Sequence, residues 1–311
     1  MNEIVYWNFD KSHLKNSAIQ MRETAAINYE LKLLSDNKKF KAMNNDYCVD
    51  AIKMAERIIG TKISGTVVEV GAGSGVYSCS VAKNSGIEKI YAVEYSEKTV
   101  KELMTFVIKK NNFVPEIENK IFPTVGSFDE IKLPDNSVDF IIDVGSLHHS
   151  EDRERTFKEL YRVLKIGGFL IGIDRCSYNT KTNADLQNKL DRVYSKTYKL
   201  DRGYNTEEKL TRRMNSEHDP LLAEWEYLLI KVGFKLTLFW IYSFGTDKKL
   251  LRILYKFTVG IFFKIFGGFL MYRKITQLGN MKIPFYPFFS KNQQMMNMII
   301  IAEKKEYIAM P

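Results

Sequence analysis

From about Asn16 to Gly60 the apolar positions recur at helical spacing. Met21, Ala25, Tyr29 and Leu33 lie four apart, and Ala51, Met54, Ala55 and Ile58 share one face of the run Tyr47 to Ile59. Gly60 ends that pattern. Thr66-Val67-Val68-Glu69-Val70 then opens a different one, short, β-branched and mostly apolar. Similar runs predict strands at 89–93, 121–125, 138–143 and 168–173, with helical stretches between them. Two more are expected at Phe234 to Ile241 and Met298 to Ala302, which makes seven. Strands alternating with helices form βαβ units, so the fold class is a doubly wound α/β sheet. The expected organisation is an N-terminal helical cap (1–60), a core (61–176), an excursion (177–233) and the last two strands (234–311). A long insertion at 248–291 separates those two strands.

Composition adds limits rather than detail. With 45% hydrophobic and 27% charged residues in 311, the chain is neither disordered, collagen-like nor a coiled-coil rod. Its three cysteines, Cys48, Cys79 and Cys176, are odd in number and far apart, which favours a reducing compartment over a disulfide framework or metal cluster. The opening MNEIVYWNFDKSH lacks the basic-then-apolar order of a secretory leader, so a cytoplasmic location is expected. The net charge of +9 suggests nucleic acid until its distribution is read. Nine basic and no acidic residues lie between Lys248 and Lys291, and the rest of the chain is balanced.

The stretch that carries most chemistry is Glu69-Val70-Gly71-Ala72-Gly73-Ser74-Gly75, directly after the first core strand. A strand running into a Gly-rich turn and a helix is the nucleotide-cofactor entry of a doubly wound fold, because glycines let backbone approach the ligand. The dinucleotide pattern G-x-G-x-x-G would need glycine at position 76, where this chain has Val76. That sets a dehydrogenase back. Glu94 ends the next strand, 19 residues after Gly75, where a carboxylate can accept both hydroxyls of a ribose.

These residues resemble the class I S-adenosylmethionine (SAM)-dependent methyltransferases, and the likeness runs from Val67 to Arg175. Gly126-Ser127-Phe128-Asp129, then Leu133-Pro134-Asp135-Asn136-Ser137-Val138-Asp139, is similar to the family's third-strand segment. Leu147-His148-His149 and Glu159-Leu160-Tyr161-Arg162-Val163-Leu164-Lys165-Ile166-Gly167-Gly168 look like signatures of its quinone-biosynthesis-like, type 11 subgroup. Ser127 stands where the family usually has an adenine-binding Asp, and Ile166 replaces a Pro. The resemblance implies a Rossmann-like sheet of seven strands with the last antiparallel, and SAM as cofactor. By matching motif, Glu69, Gly71, Ala72, Gly73 and Gly75 would surround the methionine part and Glu94 and Tyr95 the ribose. Ser127 and Phe128 would meet the adenine, and Asp143 and Gly145 would border the methyl group.

Methyl transfer to oxygen or nitrogen gains from a base. His148 and His149 follow the fourth strand in a chain with only four His, and His149 is preferred for that role. Adjacent His with no third ligand at a suitable spacing predict no metal site. Glu217-His218, in the excursion, is the second acceptor-side candidate, and its surroundings are similar to an element of methyltransferases encoded with surface-polysaccharide enzymes. Asp143-Val144-Gly145-Ser146 is not the N/D-P-P-Y/F type used on nucleic-acid bases, so nucleic acid is disfavoured.

Within the insertion, Leu250 to Tyr272 alternates apolar runs with Lys256 and Lys264 and is too interrupted to span a membrane. A basic stripe beside a wide apolar face suits a helix in a membrane interface, and equally a lid or a dimer surface. The expected function is methylation of a small molecule, with O-methylation of an activated or lipid-linked sugar ranked first. A quinone-like lipid acceptor, or a non-catalytic SAM-binding protein at the inner face of a membrane, is the alternative.

Overall fold

Strands that are apolar on both sides must be covered on both sides, and that requirement builds three layers here. The computed structural model describes residues 2–9, 17–43, 47–177, 182–218, 220–242 and 295–306. The insertion expected at 248–291 lies outside the described residues. In chain order the elements are β1 (Val5–Tyr6), α1 (Ser17–Ser35), α2 (Asn37–Met43), α3 (Tyr47–Ile59), β2 (Gly65–Val70), α4 (Val76–Val81) and β3 (Ile87–Glu94). A π-helical turn at Thr99–Met104 then leads into α5 (Thr105–Lys110), followed by α6 (Pro115–Glu118), β4 (Ile121–Val125) and β5 (Val138–Val144). A 3-10 turn at Leu147–His149 precedes α7 (Arg153–Val163) and β6 (Leu164–Ser177). The excursion holds α8 (Asn183–Leu190), α9 (Lys196–Asp201) and α10 (Leu222–Val232), and β7 (Phe234–Tyr242) and β8 (Met295–Lys304) complete the sheet.

The sheet order is β1-β4-β3-β2-β5-β6-β8-β7. β8 runs antiparallel to both β6 and β7, and the other pairings are parallel. The winding therefore reverses between β2 and β5, and the crevice at their carboxyl ends is where a doubly wound sheet binds its ligand. Along β2 the side chains alternate between the two covers. Val67 packs with α1, α3, α4 and α5 through Ile27, Leu34, Ala55, Cys79 and Val107. Val68 and Val70 pack with α7 and α10 through Phe157, Leu160, Trp225 and Leu229.

Three sequence expectations need correction. The described residues form eight strands, not seven: β1 adds to the edge of β4, where Trp7 N–H donates to the Val125 carbonyl at 2.9 Å. In α1 the buried stripe is not the one the four-residue spacing suggested. Ile27 and Leu34 are buried, Leu31 packs beside them, and Tyr29 faces solvent. Leu31, Leu33 and Leu34 offer two overlapping stripes, and the sheet takes the one that includes Ile27. Finally, β6 starts at Leu164 and runs through Gly167-Gly168 to Ser177, longer at both ends than the expected 168–173. The cysteines are buried and unbridged, and burial pushes the Cys176 thiol up to about 12.

Candidate active site

The glycine loop leaves β2 at the switch point. Gly71, Gly73 and Gly75 all have positive φ, at 60°, 52° and 73°, a region in which a Cβ is strained. The reasons for glycine differ. A Cβ on Gly71 would stand 2.2 Å from the Ser146 Cβ, and one on Gly75 would stand 2.9 Å from Met104 Cγ. Gly73 meets nothing within 4 Å, so its bare backbone borders open space. Buried Ala72 fixes the loop to the next strand through a 2.8 Å bond from its N–H to the Val93 carbonyl.

Two carboxylates hold this loop. Glu69 is buried and accepts a hydrogen bond from the Ser78 hydroxyl of α4. Burial pushes its carboxyl up to about 7, and the Ser78 bond opposes part of that rise. Glu94 accepts from Gly73 N–H at 3.0 Å through one oxygen and from Ser96 N–H at 2.9 Å through the other. Burial raises its carboxyl as well. A carboxylate has about four lone-pair positions, so two remain for a vicinal diol. Helix α1 is fastened over this end, with Ser96 Oγ bonded to Glu23 and Lys98 Nζ donating to Thr24 Oγ1 at 3.0 Å.

The other expected cofactor residues fall nearby with varied local duties. Tyr95 leans on Phe9, with ring centroids 5.2 Å apart. Ser127 Oγ accepts from Asp129 N–H at 3.1 Å, and Phe128 packs against the α7-side core. Gly145 is exposed at φ 74°, with open space where a Cβ would stand. Asp143 is fully buried, and its Oδ1 accepts from Ser146 N–H, Leu147 N–H and the Ser146 hydroxyl at 2.9, 3.1 and 2.6 Å. Burial first, then neighbouring Asp174, raises its carboxyl well above the usual range. Asp143 thus shapes the 3-10 turn that carries the His pair. Ser146 joins that turn to the glycine loop, its Oγ lying 2.6 Å from the Val70 carbonyl.

His148 is buried on the Asp174 side, with its backbone N–H 2.9 Å from Asp174 Oδ2 and its Nδ1 2.5 Å from Asp174 Oδ1. Burial disfavours charge on this ring, but the Asp174 carboxylate and then Glu217 outweigh it and lift the imidazole to about 9. His149 goes the other way. Burial and the neighbouring His148 lower it to about 4, so it is neutral at pH 7. Its Nδ1 lies 2.7 Å from the Ser216 carbonyl, which fixes the proton on Nδ1 and leaves Nε2 with a lone pair. Ser216 sits in the left-handed region at φ 54°, between the turn Arg213–Asn215 and Glu217.

Glu217 arrives from the excursion, 4% exposed, and gathers cations. Its Oε2 accepts from Arg175 at 3.1 Å and Arg212 at 3.3 Å, and its Oε1 accepts from the Tyr194 hydroxyl at 3.1 Å. Burial opposes its charge, but His148 first, then Arg175 and Arg212, hold its carboxyl far below the usual range. Arg175 Nη2 also reaches His148 Nε2. Sequence spacing offered the His pair no third ligand, but the fold brings one near: one ligand atom each of His148, His149 and Glu217 lies within 4.8 Å of the others. His218 is half-buried, its Nε2 has no hydrogen-bond partner among the described residues, and burial lowers it. Sequence reasoning missed Asp174, Arg175, Tyr194 and Arg212. The one available signal was Asp174-Arg175, a charged pair at the carboxyl end of an otherwise apolar strand.

Residues 68–172 match the methyltransferase-domain family. They are a class I SAM-dependent methyltransferase domain. SAM is the cofactor of such a domain, and the open face of Gly73 with the spare acceptor capacity of Glu94 fits it. An uncharacterized chloroplastic methyltransferase of Arabidopsis thaliana is 26% identical over 133 residues, 43% of this chain and 37% of that protein. A sarcosine/dimethylglycine N-methyltransferase of Halorhodospira halochloris is 28% identical over 131 residues, 42% of this chain and 45% of that protein. The chain thus covers less than half the length of these curated relatives. Among solved structures, a Galdieria sulphuraria protein classed provisionally as a sarcosine dimethylglycine methyltransferase superposes with a TM-score of 0.54 at 17% identity, covering 83% of this chain and 86% of its own. The [4+2]-cyclase SpnF superposes with 0.51 at 13% identity, covering 83% and 80%. A methyltransferase-domain fold shared with a cyclase does not fix the reaction; the side chains of the site do.

Proposed function

We propose that this chain transfers the methyl group of SAM to an oxygen or nitrogen of a small-molecule acceptor, with His149 as general base. The observation that carries this reading is the contact at Ser146, which docks the turn bearing His149 directly on the glycine loop. Bound SAM supplies an electrophilic methyl on a sulfonium. The glycine loop and Glu94 bind and orient it, and helix α1 covers the β3 end of the cleft. His149 Nε2 accepts the proton that the acceptor loses as its new bond to carbon forms, and the products are the methylated acceptor and S-adenosylhomocysteine. Ser216 keeps the imidazole in the tautomer that can do this. His148, with its charge matched by Asp174, is a positioning residue behind it. Replacing His149 by Ala should lower transfer about 10²–10⁴-fold while leaving SAM affinity unchanged. Undiminished turnover in that variant would remove His149 from the mechanism.

An activated or lipid-linked sugar remains our first acceptor class. His149, Arg175, Tyr194 and Arg212 make this side of the cleft polar, which suits a polyhydroxylated or anionic acceptor better than a quinone or sterol ring. The N-methylation named for one relative is served by the same base. No helix among the described residues is long and apolar enough to cross a membrane. Peripheral contact through residues 248–290 is kept as part of the proposal because of their basic and apolar composition.

A further inference from the structure

Two imidazoles and a carboxylate in one cluster, with only His149 part-exposed, are a donor set for transition metals, and here each donor is held from behind. His148 Nε2 and Glu217 Oε2 lie 3.5 Å apart. Ligands at 2.0–2.1 Å on neighbouring corners of a tetrahedron are about 3.4 Å apart, so this edge is already the right length. His148 is braced through Nδ1 by Asp174 and His149 through Nδ1 by the Ser216 carbonyl. A carboxylate or a backbone carbonyl on the far nitrogen is how metal-bound imidazoles are oriented, and it leaves one nitrogen of each ring for coordination. Arg175 Nη2 completes the picture, because it donates to Glu217 Oε2 and lies against His148 Nε2. A cationic side chain occupies the place where an ion would bridge the same two atoms. Its side chain is 35% exposed, so it has a way out to solvent.

We propose that His148, His149 and Glu217 form a three-ligand site for a divalent transition metal of the zinc type, which Arg175 fills when no ion is bound. Two imidazoles and one carboxylate favour zinc, cobalt or nickel over calcium or magnesium. Binding releases the His148 Nε2 proton to solvent, and the ion's two charges then face two carboxylates, Asp174 and Glu217. Arg212 already adds one positive charge at Glu217, so Arg175 and the ion exclude each other. The fourth position is open to water or to an acceptor oxygen. An ion there takes the His149 lone pair, so the metal-bound form lacks the base described above. Ion binding itself does not depend on the methyl-transfer reading, since it is measured without SAM or acceptor.

The test uses the full chain, stripped with a chelator and titrated with Co²⁺ and Zn²⁺ by visible absorption and calorimetry, with melting curves for every variant. One ion per chain with the strong visible bands of tetrahedral Co²⁺ is expected. Glu217→Gln should weaken binding about 10- to 100-fold. Arg175→Met should tighten it about tenfold or more, because it removes the competing occupant. No stoichiometric ion in either wild type or Arg175→Met would overturn the site. So would binding that Glu217→Gln leaves unchanged, or that Arg175→Met weakens.

Discussion

Gly73→Ala separates binding from folding more cleanly than any other change in the loop. Gly73 has φ 52°, and a Cβ there meets no atom within 4 Å. The folded chain therefore bears only the left-handed penalty of an L-residue, about 1 kcal/mol. The added methyl stands on the face where SAM is expected to lie. Overlap of one methyl with a closely packed ligand costs about 1–3 kcal/mol, or about 5- to 150-fold in Kd. Gly71→Ala is the contrast. Its Cβ falls 2.2 Å from Ser146 Cβ, so Ser146 must leave the Val70 carbonyl and Asp143. That overpacking and those lost bonds together cost about 3 kcal/mol of stability. Urea unfolding and calorimetric titration with SAM measure the two quantities. A folded Gly73→Ala protein that bound SAM with wild-type affinity would show that the cofactor does not pass over this loop.

Other consequences are open to direct measurement. The Glu69 carboxyl ordinarily ionises near 4.5 and here near 7, so between those values the unfolded chain releases a proton that the folded chain keeps. Its contribution is complete below about pH 4.5 and lost as pH rises through about 7, a change of about 3 kcal/mol at 1.36 kcal/mol per pH unit. Glu69→Gln should remove that slope from urea stability measured between pH 4.5 and 8, and an unaltered slope would contradict the assignment. Trp225, fully buried against Phe157 at 5.4 Å, should cost about 3–5 kcal/mol when replaced by Ala, read as a fall in urea midpoint. Deleting residues 248–290 should abolish binding to anionic liposomes if that segment lies on a membrane, and unchanged binding would end that part of the proposal.

The parallel core was readable because its strands are covered on both faces and therefore announce themselves as short, mostly apolar, β-branched runs. The expected 121–125 coincides with β4, and the expected 138–143 falls one residue short of β5. What escaped had no local signature. β1 is two residues long and exists only because Trp7 and Val125 meet across the chain. The α1 face was misread because adjacent leucines support more than one stripe. The same division holds in the site. The glycine loop and the His pair are contiguous in sequence and were found there. Glu217 was singled out with His218, but its place beside the His pair was not readable, because it lies 68 residues beyond His149 and comes to it through a left-handed turn at Ser216. Asp174 and Arg175 sit past the stretch of β6 whose hydrophobicity drew attention.

The measurement closest to the central claim gives the purified chain methyl-labelled SAM together with an extract of its source cells. The account predicts S-adenosylhomocysteine in step with label in a small molecule, and loss of both in His149→Ala. Label partitioning into water would mark a soluble sugar or amine acceptor, and label in organic solvent a lipid-linked one. A protein that bound SAM tightly yet released no S-adenosylhomocysteine with any fraction of the extract would contradict it.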